Sequence, residues 1–302
     1  MNDGEGKTMT LGPMAENESK ADKEKIYGHI CKVFPDFNGA DFRTNGHVTL
    51  DGTILQDLTL YNILDTRLLL LKRLYNKNLI GWAAQKRMEE IVIKIITSAV
   101  DLTGIKNVTF GGGIFLNMIM NMKIQQIFGD KLNLFFNPIC SDHGNAVGAA
   151  LEEYYQQTGK NPVPPYMSLY LGSSYSDEEI SLSTKKFNFK VSKVNKVDTA
   201  IDLIERGKVI GWFQGRSEFG PRGLGNRSIL ALPTEQKYKD IVNEKVKKRE
   251  PWRPFCPTII EEKSSEFLKN PSYAPYMILG FEMKNPELYP AVTHIDGTCR
   301  PQ

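Results

Sequence analysis

NVTFGGGIFLNMIMNMKIQQIFGDKLNLFFNPICSDHGNAVGAALEEYY, residues Asn107–Tyr155, carries the fold assignment. NVTF is a short β run, and the glycines Gly111–Gly113 are a turn signal opening a helix through Phe115–Phe128. LNLFF is a second β run. Asn137-Pro138 and an acidic turn then lead into a helix from near Gly144 to about Gln157. Strand, glycine turn, helix, strand, acidic turn, helix is an α/β layout, with ligand-bearing groups at the C-terminal edges of the strands.

Backbone N–H groups at Gly111, Gly112 and Gly113, helped by a helix N-terminus, can hold phosphate oxygens, although a tight structural turn uses the same glycines. Asn117 can hydrogen-bond a ribose or a phosphate. Asp142, at a strand-to-helix junction, either caps the helix or serves as a metal or substrate ligand. His143 reads as a cleft-edge or capping residue, because no partner histidine lies at helical spacing.

Upstream, apolar residues recur at helical spacing from Ile63 to Asn76 and from Ala83 to Leu102. DGEGKTM, Asp3–Met9, offers Glu5 to a ribose and Lys7 to phosphates. Downstream, a Pro-rich break reads as a linker over residues 159–168, between domains at 1–158 and 169–302. The second domain reads as a strand near Lys190–Val194, a helix at Thr199–Glu205 and a strand at Lys208–Phe213. A strand at Ile229–Leu232, a helix from Glu235 to Lys247 and a strand at Pro257–Ile260 follow.

Between the second and third of those strands lies GRSEFGPRGLGNRSIL, Gly215–Leu230, and after the helix comes KKREPWRPF, Lys247–Phe255. Arg216, Arg222 and Arg227 sit among glycines and a proline, with the single acid Glu218 between them. Arginine forks match phosphate and carboxylate oxygens in pairs, and glycines let backbone approach a ligand. Lys247, Lys248, Arg249 and Arg253 are interrupted by Pro251 and Pro254, which makes them a rigid turn. The two clusters read as the lips of an anionic-ligand pocket; the competing reading is a solvated basic surface.

At 302 residues and 41% hydrophobic content the chain is globular and large enough for two domains. A net charge of +3 is too small to argue for nucleic acid or a membrane surface as partner, and the positive charge matters where it is concentrated. Cys31, Cys140, Cys256 and Cys299 are far apart with no CxxC, which points to a reducing cytoplasm rather than a disulfide scaffold or zinc knuckle. No apolar run approaches a membrane-spanning length, and the N-terminus holds no signal-peptide core.

GEGKTM, GGGIFLN, SDHGNAVGAAL, the arginine loop, KKREPWRPFCP and VTHIDGTCR occur in the order found in the O-carbamoyltransferases of antibiotic and nodulation-factor biosynthesis, and the chain resembles that family over nearly its whole length. The resemblance implies the C-terminal part of an actin-like ATPase (ribonuclease-H-like) domain followed by an α/β domain similar to threonylcarbamoyl-AMP synthase. It implies that the second domain makes carbamoyl-adenylate from carbamoyl phosphate and ATP. The first then transfers the carbamoyl group to a hydroxyl of a small-molecule acceptor (a sugar, antibiotic or nodulation factor) at a bound Fe2+.

By the same resemblance Arg216, Arg222, Arg227, Lys248, Arg249 and His294 belong to the reacting centre, and Lys208, Ser228, Arg253 and Arg300 to the adenylate pocket. Gly111–Gly113, Asn117 and Asp142 belong to the transfer site, Asp142 as metal ligand. Three departures stand out. No HxxxH is present to complete the metal site, the family's GPRALG reads GPRGLG with Gly223 as a mild change, and GLAPYG reads TLGPMA at Thr10–Ala15. An internal fragment of a longer cytoplasmic enzyme is the expectation, and a homo-oligomer stays open. The alternatives are a non-catalytic nucleotide-binding fragment and a tRNA threonylcarbamoyl-modification enzyme.

Overall fold

The computed structural model describes residues 11–34, 70–161 and 168–302. The chain packs into two compact units, Met1–Phe110 with Ile119–Phe135 and Gly111–Met118 with Phe136–Gln302. Glu5 and Lys7 lie outside the described residues, as do 63–69 of the first expected helix and 162–167 of the expected linker.

In the first unit two helices pair, α1 (Lys20–Val33) and α2 (Lys77–Thr103). Each starts on a side-chain cap: Ser19 accepts the Asp22 N–H at 3.1 Å and Asn76 the Leu79 N–H at 3.0 Å. The Asn76 cap explains why α2 begins at Lys77, ahead of the expected Ala83, and Gly104 ends it in the left-handed conformation at φ 68°. Ile26, Ile30, Leu71, Leu79 and Ala83 form the core between the helices. Each large aliphatic side chain buried this way contributes about 1.5–3 kcal/mol.

β1 (Asn107–Phe110), α3 (Met118–Phe128) and β2 (Asn133–Phe136) follow, with β1 and β2 paired in one sheet. The glycine run does not pass directly into the helix. Gly112 turns the chain at φ 96°, Gly113–Leu116 form a 3-10 turn, and α3 begins after Asn117.

The second unit holds α4 (Asp142–Thr158), α5 (Asp177–Lys186), α6 (Lys196–Glu205), β3 (Ile210–Phe213) and β4 (Arg227–Leu230). α7 (Gln236–Ile241) continues as a π-helical turn over Val242–Val246, and α8 (Ser264–Phe267), β5 (Phe281–Glu282) and β6 (Thr298–Cys299) complete it. β3 and β4 are antiparallel, with Ile210 opposite Leu230 and Phe213 opposite Arg227. Ile139, Leu169, Leu224 and Met277 form a core with Phe219 and Val147 packed against it. The mixture of helices and strands is of the expected α/β kind.

Two expected strands differ. Lys190–Val194 forms no strand, and Phe189 and Val191 are 66% and 68% exposed, so its alternation finds no partner among the described residues. Pro257–Ile260 is not a named strand either. It is held by two backbone hydrogen bonds, from Gln302 N–H to Pro257 O and from Ile259 N–H to Gln302 O, both 3.1 Å. Bonds that flank one residue in this way are the parallel-strand pattern, setting Thr258 opposite Gln302 and Cys256 opposite Arg300. The Gln302 amide donates to Thr258 Oγ1 at 2.7 Å in that register. Among the described residues no helix is long and apolar enough to cross a membrane.

Candidate anion-binding site

Residues 214–226 form the long connection of the β3–β4 hairpin. It is stitched along residues 169–173: Gly172 N–H donates to Ser217 O at 2.9 Å, Ser217 N–H to Ser173 O at 3.1 Å and Phe219 N–H to Leu169 O at 2.6 Å. The approach is so close that a Cβ at Gly172 would collide with Ser217 Oγ.

The three arginines of the loop divide into two roles. Arg216 spends Nε and Nη2 on the carbonyls of Gly172 and Leu171, both at 3.0 Å. Arg227 donates to Gln214 O (2.6 Å), Asn226 O (3.0 Å), Ser173 O (3.2 Å) and Gly215 O (3.1 Å), with its guanidinium 3.5 Å above the Phe213 ring. These two brace the loop.

Arg222 is different. Its Nε is sealed from solvent and finds no hydrogen-bond partner. Burial, together with repulsion from Arg300 and Arg253, pushes its guanidinium down to about 9. Arg300 repeats the pattern: its Nε is also buried without a partner, and burial and repulsion from Arg253 lower the pKa of its guanidinium.

The basic turn brings the other cations. Asn243 is fully buried; its Nδ2 donates to Pro251 O at 3.1 Å and Arg253 O at 2.9 Å, and its Oδ1 accepts from Arg249 Nε at 2.6 Å. Arg249 also lies 4.7 Å from the Phe255 ring centroid. Lys247 is lowered by burial and by Arg249 and Arg253. Glu250 pairs with Arg253 at 4.0 Å, and Glu218 is engaged by backbone N–H groups. Buried like charges with unmet donors are stable only opposite an anion.

Cys256 stands against Arg222 and Arg300, but burial pushes its thiol up to about 12, so it is not a nucleophile at neutral pH. On the turn leading to Arg300, His294 is 8% exposed in its side chain; its Nδ1 lies 3.2 Å from Asp296 Oδ1, and its buried Nε2 has no partner. Thr298 donates to that same Asp296 oxygen from N–H at 3.0 Å and Oγ1 at 2.6 Å. Burial opposes ionisation of Asp296, but the His294 and Thr298 hydrogen bonds outweigh it and hold the carboxyl below the usual range.

The remaining candidates are dispersed. Lys208 and Lys248 are exposed, and Ser228 Oγ accepts the Gly225 N–H at 3.0 Å. A Cβ at Gly111, Gly112 or Gly113 would meet nothing within 4 Å, so the turn is open to a ligand rather than packed, and Asn117 beside it is buried. At Gly223 a Cβ would come within 2.8 Å of Arg227 O. The change from the family's alanine is therefore not mild here, because the loop closes more tightly than a methyl group allows.

Asp142 is exposed on the first turn of α4, while His143 Nδ1 pairs with Ser141 Oγ at 2.8 Å. Among the described residues no group of three or more His, Cys, Asp or Glu side chains could hold a metal ion, so these residues do not fit an iron site. Sequence reasoning passed over Asn243. Its one signal is an amide among the apolar residues Ile241, Val242 and Val246, where α7 passes into the π-helical turn.

The family profile described as Carbamoyltransferase N-terminus matches residues 1–151, and Carbamoyltransferase C-terminus matches residues 201–302. The chain belongs to the carbamoyltransferase family. It is 37% identical over 229 residues to nodulation protein NolNO of Sinorhizobium fredii, covering 72% of this chain and 33% of that protein. With nodulation protein NolO of Bradyrhizobium diazoefficiens the identity is 35% over 229 residues, covering 72% of this chain and 41% of that protein. Nodulation protein U of Rhizobium fredii is 34% identical over 203 residues, 67% of this chain and 33% of its own. The chain thus spans between a third and about two-fifths of the length of these relatives. The arginine loop, the basic turn and Arg300 all fall inside the region matched by the family's C-terminal profile.

Proposed function

We propose that the second unit binds the phosphate groups of ATP and carbamoyl phosphate and forms carbamoyl-adenylate. Water releases phosphate and carbamate from carbamoyl phosphate, and the carbamate oxygen displaces pyrophosphate from ATP to give the adenylate. The family's N-terminal region then passes the carbamoyl group to a hydroxyl of a small-molecule acceptor, with AMP as leaving group. On this reading the two units are parts of a threonylcarbamoyl-AMP-synthase-like domain and an actin-like domain. The observation that carries it is the pair Arg222 and Arg300, buried against each other with unpartnered Nε donors. Bringing two polyphosphate-bearing reactants together is opposed mainly by charge repulsion, which fixed cations relieve before the reaction begins.

Arg222, Arg253 and Arg300 clamp the anions, Lys247 and Arg249 add field, and Arg216 and Arg227 keep the clamp rigid. The open glycine turn supplies backbone N–H groups for a phosphate. The names of the nodulation proteins favour a nodulation-type acceptor. Among the described residues no side chains complete a metal site around Asp142, so iron takes no part in this reading.

Incubating the protein with ATP, with and without carbamoyl phosphate, tests the reading. Pyrophosphate and AMP that depend on carbamoyl phosphate support it. ATP binding with turnover indifferent to carbamoyl phosphate identifies a nucleotide-binding module, and release of ADP a kinase.

A further inference from the structure

We propose that Glu218 is the positioning residue of the anion site: its carboxylate gathers the backbone of the arginine loop and thereby holds Arg222, uncompensated, against Arg253 and Arg300. The proposal rests on the reading of that cluster as an anion site.

Glu218 Oε1 accepts three backbone N–H groups, from Leu224 at 2.6 Å, Asn226 at 2.8 Å and Arg227 at 3.2 Å. Charge-assisted bonds to one oxygen draw the far arm of the loop back onto its near arm and close residues 219–223 into a lobe, with Gly220 against Ile139 of the core. Arg222 lies on that lobe. Gly220 at φ 104° and Gly225 at φ 95° make the two reversals that the closure needs. Leu224 and Phe219 at the base of the lobe are anchored in the unit's core, and Tyr170 Oη donates to Leu224 O at 2.8 Å.

The placement has a second effect. Glu218 is the only acid within a loop that carries three arginines, yet it forms an ion pair with none of them. An acid free to swing toward Arg222 would neutralise it and compete with the ligand. Held by three N–H groups, the carboxylate cannot do so. The same side chain that shapes the lobe therefore leaves the positive field of the cluster undiminished.

A loop brace that merely stabilised the fold would not be coupled to Arg222. Binding of inorganic pyrophosphate to the whole chain, measured by calorimetry, separates the two roles with Arg222→Ala, Glu218→Ala and the double variant. Arg222→Ala and Glu218→Ala should each weaken binding by about tenfold or more, the loss of one charge-assisted contact. The double variant should bind within about twofold of Arg222→Ala alone, because residues acting as a unit are not additive.

Glu218→Gln retains a neutral acceptor at the same position and should restore binding to within a few-fold of wild type. Where Glu218→Ala fails to fold, Glu218→Asp, whose carboxylate stops one methylene short of the three N–H groups, takes its place in the cycle with Arg222→Ala. Losses that multiply in the double variant, or wild-type binding by Glu218→Ala, overturn the proposal while leaving the anion site standing. Wild-type binding by Arg222→Ala overturns the anion site itself, and the proposal with it.

Discussion

Arg222 and Arg227 are five positions apart, one on the loop and one at the start of β4, and the two guanidinium groups do opposite things. Arg227 is saturated by carbonyl oxygens, so Arg227→Ala should cost about 1–3 kcal/mol of stability, read as a lowered Tm. Arg222 is an uncompensated buried charge, so Arg222→Ala should leave Tm unchanged or raised. It should, however, remove roughly 2–4 kcal/mol of transition-state stabilisation from adenylate formation, a loss measured as pyrophosphate release. Wild-type turnover in that variant would remove Arg222 from the site.

Glu218 adds a pH signature. Burial opposes its ionisation, but the N–H groups of Asn226, Leu224 and Arg227 outweigh it and hold the carboxyl below its ordinary 4.5. A group lowered on folding contributes stability that is complete above the unfolded value and disappears as pH falls through the folded one. Acid titration of Tm should therefore be steeper below 4.5 in wild type than in Glu218→Gln.

At the scale of elements, the basic turn depends on one amide. Asn243 bonds two carbonyls and Arg249 from a fully buried position, and Asn243→Ala leaves those groups unmet. A loss of about 2–4 kcal/mol is expected, with weakened pyrophosphate binding, by thermal melts and calorimetry on the same sample. A melt unchanged from wild type would mean that the proline frame alone holds the turn.

The elements also mark what local sequence can reveal. Strands β3 and β4 and helices α2, α4 and α6 were legible because periodicity acts within a few residues. The arginine clusters were legible as a composition of Gly, Pro and Arg. Which arginine braces and which binds was not, because that depends on carbonyls of residues 171–173, more than forty positions away. The strand expected at Lys190–Val194 failed for a related reason: alternation gives a segment the capacity to pair, and only another strand turns it into one.

For the molecule as a whole, the same segment leaves Phe187, Phe189 and Val191 each about two-thirds exposed. Contiguous apolar surface of that kind binds hydrophobic dyes. Phe189→Ser should lower dye fluorescence while changing stability by less than about 0.5 kcal/mol, since the side chain supports no core. A large drop in Tm would show that the residue packs in solution.

The parallel alignment of residues 256–259 with 300–302 carries a consequence for biosynthesis. Arg300 joins Arg222 only through contacts that bridge some forty residues of chain, so the cluster has high contact order and closes late. A ribosome-bound chain that has not yet exposed Arg300 holds the loop and the basic turn without their third guanidinium. Affinity for phosphate should then arise in one step, when Arg300 docks beside Arg222.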